Sequence, residues 1–168
     1  VAKRAVDIEL LEKKRGALDP ANQASLSIHL ALGLSRGDRM DFAVQKSTEL
    51  GVSEITPIYT EYGEVRLKAE RVEKKLQHWQ KIAISACEQS GRLDVPLIHE
   101  PIALMELSLI ESVNKLMLEP SGADVLPLSL AENKIMLLIG PEGGFSANEI
   151  DWAQCNHFGI VALGSRIL

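Results

Sequence analysis

The chain has 168 residues, of which 46% are apolar and 24% charged, and its formal net charge is −5 at pH 7. This length is enough to bury one sizeable core, so we expect one main domain. The acidic balance argues against tight binding of nucleic acid through a general positive field, although it leaves room for a local basic patch. No apolar run approaches the roughly 18 residues of a membrane span, and no signal peptide is recognised. We therefore expect a cytoplasmic protein.

The cysteines and histidines show no metal-binding pattern. Cys87 and Cys155 fall in helix-like segments and lack the paired spacing of a zinc site. We interpret both as free, buried thiols of a reducing compartment. The four histidines are scattered along the chain, so no metal ion is predicted.

Strand and helix patterns alternate along the chain. Near the start, residues 6–10 alternate apolar and acidic side chains as a half-buried strand does, and a polar linker follows. Because alternating strands and helices imply parallel pairing through crossover connections, the sequence predicts an α/β fold. Strands are predicted at residues 25–34, 53–60, 95–100, 114–120, 133–140 and 159–164, and helices at residues 38–51, 69–91, 103–112 and after Phe145.

Residues 137–150, LLIGPEGGFSANEI, lead from an apolar strand through a glycine-rich loop (residues 140–144) into a helix start. Ser146 and Glu149 have the spacing of a capping box, which places the loop between the end of a strand and the start of a helix. In open α/β sheets, ligands bind at this position. A purely structural turn is the alternative. A Walker loop is excluded because Phe145, not lysine, follows Gly144, and the Rossmann spacing is absent.

Five separated segments, in order, carry a family resemblance: residues 37–61, 71–92, LMLEP at 116–120, LLIGPEGGFS at 137–146 and LGSRIL at 163–168. Together they resemble the RsmE family, which are 16S ribosomal RNA uridine methyltransferases of the SPOUT superfamily. The resemblance implies that residues 25–168 form an α/β domain with a deep trefoil knot near its C-terminus. It also implies that residues 1–24 are the last strand of an N-terminal PUA-like β-barrel and a linker.

The resemblance implies that S-adenosylmethionine binds in a cleft lined by three backbone segments. Its methyl group would pass to ring nitrogen 3 of a uridine in 16S rRNA of the small ribosomal subunit. That nitrogen must first lose its proton, and the base must be unpaired or flipped out. The implied cofactor-binding residues are Leu118, Glu119, Pro120, Ile139, Gly140, Pro141, Glu142, Gly143, Gly144, Leu163, Gly164, Ile167 and Leu168.

Two residues are candidates for a catalytic role. Glu142 either complements the cationic end of the cofactor or bonds backbone N–H groups of its own loop. Arg166 either stabilises negative charge that develops on the uracil, or pairs with Glu142 or an RNA phosphate. The sequence identifies no general base.

Polar residues at two helix ends match the family closely and are predicted to contact RNA, with a solvated surface as the alternative. A neighbouring basic run, Arg66 to Lys75, is interleaved with glutamates and is interpreted as a salt-bridged helix face rather than a nucleic-acid-binding stripe. Trp79 keeps the apolar period of its helix and is predicted to lie in the core. The predicted RNA contacts are Gln45, Lys46, Gln89, Ser90 and Arg92.

The sequence departs from the family pattern at two places. Ser165 stands where the family usually has a proline. The family motif also continues past Leu168 into an Arg-Thr-Glu-Thr run and a final helix, so we expect the cofactor site to need residues beyond this chain. We expect a homodimer, and the alternative function is a non-catalytic RNA- or ribosome-binding module that keeps the knot.

Overall fold

The computed structural model describes residues 26–108, 114–123 and 133–162. The predicted N-terminal strand and the turn at residues 163–168 lie outside this part. The strands are β1 (Ser27–Gly33), β2 (Glu54–Tyr59), β3 (Leu97–Ile98), β4 (Ile102–Ala103), β5 (Asn114–Ala123), β6 (Lys134–Ile139) and β7 (Gly159–Val161). The helices are α1 (Asp38–Glu49), α2 (Ala69–Ser90) and α3 (Ala147–Cys155), and Leu104–Glu106 form a 3₁₀ turn.

The seven described strands form one parallel sheet in the order β3-β2-β1-β6-β5-β7, with β4 also paired to β2. The predicted α/β fold with parallel pairing is confirmed. Because parallel strands point the same way, the carboxyl ends of β1, β2, β6, β5 and β7 gather at one edge. This carboxyl edge is the place where the sequence puts the glycine-rich loop.

Helices cover both faces of the sheet, so both faces are buried. Leu30 of β1 packs on one side in a cluster with Val44 of α1 and Trp79 of α2. Ala31, the next residue, packs on the other side with Ala153 of α3. The alternation of β1 therefore divides the core into two layers, and the predicted core position of Trp79 is confirmed.

The structure corrects two predictions. In the described part of the predicted helix 103–112, Ala103 ends β4, Leu104–Glu106 form the 3₁₀ turn, and residues 107 and 108 are irregular. Leu104 and Leu107 are both buried beside α3, so this short turn anchors the segment without a longer helix. Cys87 is buried as predicted, but Cys155 is exposed, because it lies two residues from the buried Ala153 and so on another side of α3. Among the described residues, no helix is long and apolar enough to cross a membrane.

Candidate functional site

The glycine-rich loop turns the chain from β6 into α3 at the carboxyl edge. The N–H of Gly144 donates to the carbonyl of Pro141 at 2.9 Å and closes the turn. Gly144 has a φ of 70°, in the left-handed region that favours glycine. Pro141 is buried, whereas Glu142 and Gly143 are exposed. The loop is therefore anchored at one residue and presents the next two to solvent.

A buried carboxylate holds the start of α3 in place. Glu149 accepts a hydrogen bond from the backbone N–H of Ser146 at 2.8 Å, and the Ser146 hydroxyl accepts from the N–H of Glu149 at 3.3 Å. The predicted capping box is confirmed. The second carboxylate oxygen of Glu149 accepts a hydrogen bond from the backbone N–H of Glu61 at 2.8 Å. Glu149, only 4% exposed, thus also ties the segment after β2 to the glycine-rich loop.

The glycine-rich loop approaches two neighbouring segments so closely that side chains are excluded. A Cβ atom on Gly33, at the end of β1, would overlap the backbone nitrogen of Pro141 and lie 2.7 Å from the carbonyl carbon of Gly140. A Cβ on Gly143 would lie 2.9 Å from the carbonyl oxygen of Tyr62. Gly33 is not among the site residues predicted from the sequence. The available signal was a glycine at the end of a strand, which often marks a close backbone approach.

Two of the three predicted cofactor-binding segments meet at the carboxyl edge. Leu118 of β5 is paired with Ile139 of β6 on one side and with Val161 of β7 on the other. Leu118, Glu119, Ile139 and Gly140 are half-buried, and Pro120 is exposed. The third segment begins two residues after Val161, and Leu163, Gly164, Arg166, Ile167 and Leu168 lie outside the described residues.

Beyond Leu118, β5 continues past the predicted strand end at Pro120 and is irregular. Its register against β7 shifts between Leu118 and Ala123, and both of these residues pair with Val161. A Cβ on Gly122 would lie 2.7 Å from the backbone nitrogen of Val161. The β5 chain therefore passes tightly across the end of β7, next to the last described residues.

Glu142 has a partner that the sequence did not indicate. Its carboxylate accepts a hydrogen bond from the Arg39 guanidinium at 2.8 Å. This bond, with a smaller contribution from the Glu142 backbone N–H, holds the pKa of Glu142 below its ordinary value. Glu142 is thus ionised at neutral pH, and Arg39 is a partner that neither of its two predicted roles named.

The Arg39–Glu142 pair lines a polar cleft of about 580 Å³ beside the glycine-rich loop. A second exposed pair, Arg36 with Glu64 at 2.7 Å, lines the same cleft. Tyr62 also lines it, and 53% of this residue is exposed. We call this the arginine cleft; its lining residues are Leu34, Arg36, Arg39, Tyr62, Glu64, Val65, Glu142 and Gly143.

The predicted RNA contacts lie toward the other edge of the sheet, because α1 and α2 run back from the carboxyl edge. Arg92 is largely buried and joins the ends of the two helices: it donates to the Thr48 carbonyl at 2.8 Å and to Asp94 at 2.7 Å. Arg92 therefore places the ends of α1 and α2 side by side, away from the glycine-rich loop. Gln45 and Lys46 both donate to Glu49, Ser90 donates to the Ala86 carbonyl, and Gln89 is exposed.

Two of the scattered histidines meet near the amino-terminal ends of β1 and β2. One ligand atom from each of His29, Glu54 and His99 lies within 4.8 Å of the others, so among the described residues this is a group that could hold a metal ion. His99 bonds Glu54 at 2.8 Å, and His29 bonds the Thr56 hydroxyl at 2.8 Å. Burial lowers the pKa of His29 below its ordinary value. Sequence spacing gave no sign of this group, because parallel pairing of β1 with β2 assembles it.

Comparison with known proteins adds to this geometry. A family model for the RNA methyltransferase domain matches residues 22–168. Ribosomal RNA small subunit methyltransferase E from Buchnera aphidicola is 37% identical, with 97% of this chain and 66% of the relative covered. The protein of the same name from Mesomycoplasma hyopneumoniae is 34% identical, with 95% of this chain and 69% of the relative covered.

A solved structure also resembles this fold. Ribosomal RNA small subunit methyltransferase E from Neisseria gonorrhoeae, bound to S-adenosyl methionine, superposes with a TM-score of 0.80 at 42% identity, over 85% of this chain and 60% of that one. The chain thus spans about two thirds of the length of these relatives. By the match to most of its length and by these identities, the chain belongs to the RNA methyltransferase domain family, and within it to ribosomal RNA small subunit methyltransferase E, the RsmE family.

Proposed function

We propose that the protein transfers a methyl group from S-adenosylmethionine to ring nitrogen 3 of a uridine in 16S rRNA of the small ribosomal subunit. The observation that carries this proposal is the meeting of Leu118, Ile139 and Val161 beside the glycine-rich loop. The Neisseria gonorrhoeae relative is named for small-subunit rRNA methylation and binds S-adenosyl methionine. Its similarity to this chain supports the same cofactor and the same class of substrate here.

The described residues fit this cofactor. Leu118 and Ile139 offer half-buried apolar side chains at adjoining strand ends. A Cβ on Gly144 would meet nothing within 4 Å, so an adenine ring can approach the backbone there closely, whereas Gly140 and Gly143 lie against Phe145 and Tyr62. When bound, the cofactor supplies an electrophilic methyl group on a positively charged sulfur. We infer that Leu163, Gly164, Ile167 and Leu168 complete the cofactor-binding site.

We place the target uracil in the arginine cleft, because the methyl acceptor has to lie beside the glycine-rich loop. The exposed ring of Tyr62 offers a face on which a base can stack. Once nitrogen 3 has lost its proton, negative charge spreads over the uracil, and Arg39 and Arg166 are suitable to stabilise it. Ionised Glu142 holds the Arg39 guanidinium at 2.8 Å. Its negative charge also complements a sulfonium.

We further infer that residues 25–168 form a SPOUT domain with a trefoil knot. Support comes from the strand order, because β7 pairs with β5 rather than with β6, so the chain crosses β5 after it leaves β6. The close passage of Gly122 across Val161 is consistent with threading at this point. Residues 1–24 are proposed to end a PUA-like barrel and to form a linker.

The proposed assembly is a cytoplasmic homodimer that acts on the ribosomal subunit. In it, Gln45, Lys46, Gln89 and Ser90 are placed to contact RNA away from the target nucleotide, because they lie toward the far edge of the sheet. For Arg92, the bonds to Thr48 and Asp94 favour a structural role in joining α1 and α2.

The test measures cofactor binding and methyl transfer separately. S-adenosylmethionine is titrated calorimetrically into the protein, and small subunits lacking the modification are then assayed for 3-methyluridine by nucleoside mass spectrometry. We expect binding and transfer when the chain carries the Arg-Thr-Glu-Thr run and final helix of the family pattern, on which the cofactor site is expected to depend. Arg39→Ala is expected to keep cofactor affinity and to lower transfer about 10-fold, the loss of about 1.4 kcal/mol of transition-state stabilisation.

The control is Lys134→Gln, an exposed change at the start of β6 and at the other edge of the sheet. Absence of cofactor binding both in this chain and in the chain extended by that run and helix would refute the cofactor assignment of the glycine-rich loop. Binding to the subunit without transfer would instead support the non-catalytic RNA-binding module.

A further inference from the structure

Helix α2 buries one side and leaves a basic side exposed. Its 22 residues pack Trp79, Ala83 and Ala86 into the core. Five basic residues are separated by steps of three, one, three and three positions, which keeps them within an arc of about 120° on the helix surface. We call this arc the α2 basic stripe: Arg71, Lys74, Lys75, His78 and Lys81.

The α2 basic stripe borders a shallow concavity that is open to solvent and is lined by side chains of α2 alone. Together with Gln77, its residues line a concavity of about 640 Å³. From Arg71 to Lys81 the stripe extends for about 15 Å along the helix axis, at 1.5 Å per residue. Lys75 is further held 5.9 Å over the Trp79 ring. The length of the stripe equals the axial rise of about four nucleotides in one strand of a duplex, at 3.4 Å per nucleotide.

The charges of the stripe are largely uncompensated, in contrast to the salt-bridged face that the sequence predicts. Within residues 26–108, 114–123 and 133–162, Arg71, Lys74, Lys75 and Lys81 form no ion pair. Of the nearby glutamates, Glu73 accepts from Gln77 at 2.9 Å, Glu64 pairs with Arg36, and Glu70 forms no ion pair among the described residues.

One acidic group faces the stripe from the neighbouring helix. Asp41 of α1 bonds His78 at 2.7 Å and the indole N–H of Trp79 at 3.1 Å. It is therefore already engaged by two donors, one of them outside the stripe. The lysines and Arg71 remain available to an external polyanion.

We propose that the α2 basic stripe binds the phosphate backbone of the RNA substrate. The inference rests on the proposed function for the identity of the polyanion. The position of the stripe supports RNA over other anions, because α2 follows directly on the loop that carries Tyr62 and Glu64 into the arginine cleft. A strand bound along the stripe would reach the cleft from its Arg71 end. Phosphate contacts of this kind position a substrate without reading its sequence.

The test is the salt dependence of RNA binding. Affinity for radiolabelled 16S rRNA is measured by filter binding between roughly 50 and 200 mM salt for the protein and for the triple variant K74Q/K75Q/K81Q. Each lost phosphate contact lowers the slope of log affinity against log salt by roughly 0.7 to 0.9. We expect the slope to fall by about 2 and the affinity at 0.1 M salt to fall roughly 100-fold.

Two controls separate charge from position. K74R/K75R/K81R keeps the charges and is expected to retain both affinity and slope. Lys134→Gln removes an exposed lysine at the start of β6, away from α2, and is expected to change neither. An unchanged slope in the glutamine triple, or an equal loss in Lys134→Gln, would overturn the proposal.

Two further measurements identify the ligand and isolate the proposed function. S-adenosylmethionine binding is expected to be unchanged in all variants, since the stripe is separate from the glycine-rich loop. If the unaltered protein failed to bind the cofactor while its RNA slope still depended on the three lysines, methyl transfer would fail and the RNA surface would stand. If K74Q/K75Q/K81Q lost binding to phosphatidylserine vesicles but kept unaltered RNA binding, the assignment of the stripe to RNA would be overturned.

Discussion

The two edges of the sheet are built from different kinds of contact. At the carboxyl edge, main chain meets main chain: Gly33 lies against Pro141, and Gly143 against Tyr62. At the amino-terminal edge, side chains meet side chains, as His99 bonds Glu54 and His29 bonds Thr56. The first edge leaves little room for added atoms, whereas the second contains His29, an imidazole whose pKa is lowered by burial. The proposed chemistry lies at the edge with fixed geometry, which suits a reaction that depends on positioning.

The largest effect is expected from Gly33→Ala, which would break the backbone contact at the carboxyl edge. The new Cβ would overlap the nitrogen of Pro141, and neither backbone can move without disturbing β1 or the glycine-rich loop. We expect unfolding free energy to fall by about 3 kcal/mol, the upper part of the usual range for overpacking. Urea unfolding measures this, and calorimetry is expected to show weaker cofactor binding.

Gly159→Ala is the matched control for that change. A Cβ at Gly159 would lie 3.3 Å from the end of the Leu116 side chain, which is able to rotate away. We expect little change in stability. Equal losses in the two alanine variants would mean that the close approach at Gly33 is not what makes this edge rigid.

A smaller loss is expected from Glu149→Ala, which removes the carboxylate that joins α3 to the segment after β2. The backbone N–H groups of Ser146 and Glu61 would both lose their acceptor. Unpaired buried donors cost about 1 to 3 kcal/mol each. We expect the free energy of unfolding to fall by about 2 kcal/mol, because water can enter the space left by the side chain and solvate part of it. Thermal and urea unfolding measure the loss. Asp151→Ala, exposed on the same helix, is expected to have almost no effect.

Features whose signals lie close together in the chain could be predicted from the sequence, whereas features that depend on contacts between distant residues could not. Helix α2, strand β6 and the Ser146 capping box were predicted because their signals lie within a few residues of each other. The loop at residues 140–144 was identified for the same reason. The failures at residues 103–108 and at Cys155 arose where packing against another element decided the outcome.

Contacts at the site between residues that are far apart in the chain could not be predicted from the sequence. Gly33 and Pro141 are separated by more than 100 residues and meet because β1 pairs with β6. The Arg39–Glu142 pair depends on the same adjacency. The interleaved charges of α2 were interpreted as pairs, but helix geometry turns Glu73 toward Gln77 and away from the lysines. Which acid meets which base is decided by the fold, and the order along the chain does not give it.

The smallest effect is expected at the amino-terminal edge, from the protonation of His29. Burial lowers the pKa of His29 below 6.5, Glu54 opposes this effect, and His99 adds to it. A histidine with a lowered pKa in the folded state takes up its proton first in the unfolded chain. Stability is therefore lost as pH falls from about 6.5 toward the folded pKa, and it is unaffected by this group at higher pH.

We expect His29→Gln to lose less stability than the unaltered protein when urea unfolding is compared at about pH 7.5 and about pH 5.5, on either side of the ordinary histidine pKa. His157→Gln, which alters an exposed residue, is expected to behave like the unaltered protein. Equal acid losses in all three would assign the pH response to other groups. A reduced loss in His29→Gln alone would show that the amino-terminal edge responds to protons through the desolvation of one imidazole. In Gly33→Ala, by contrast, the loss is expected to be similar at both pH values, because a steric overlap binds no proton.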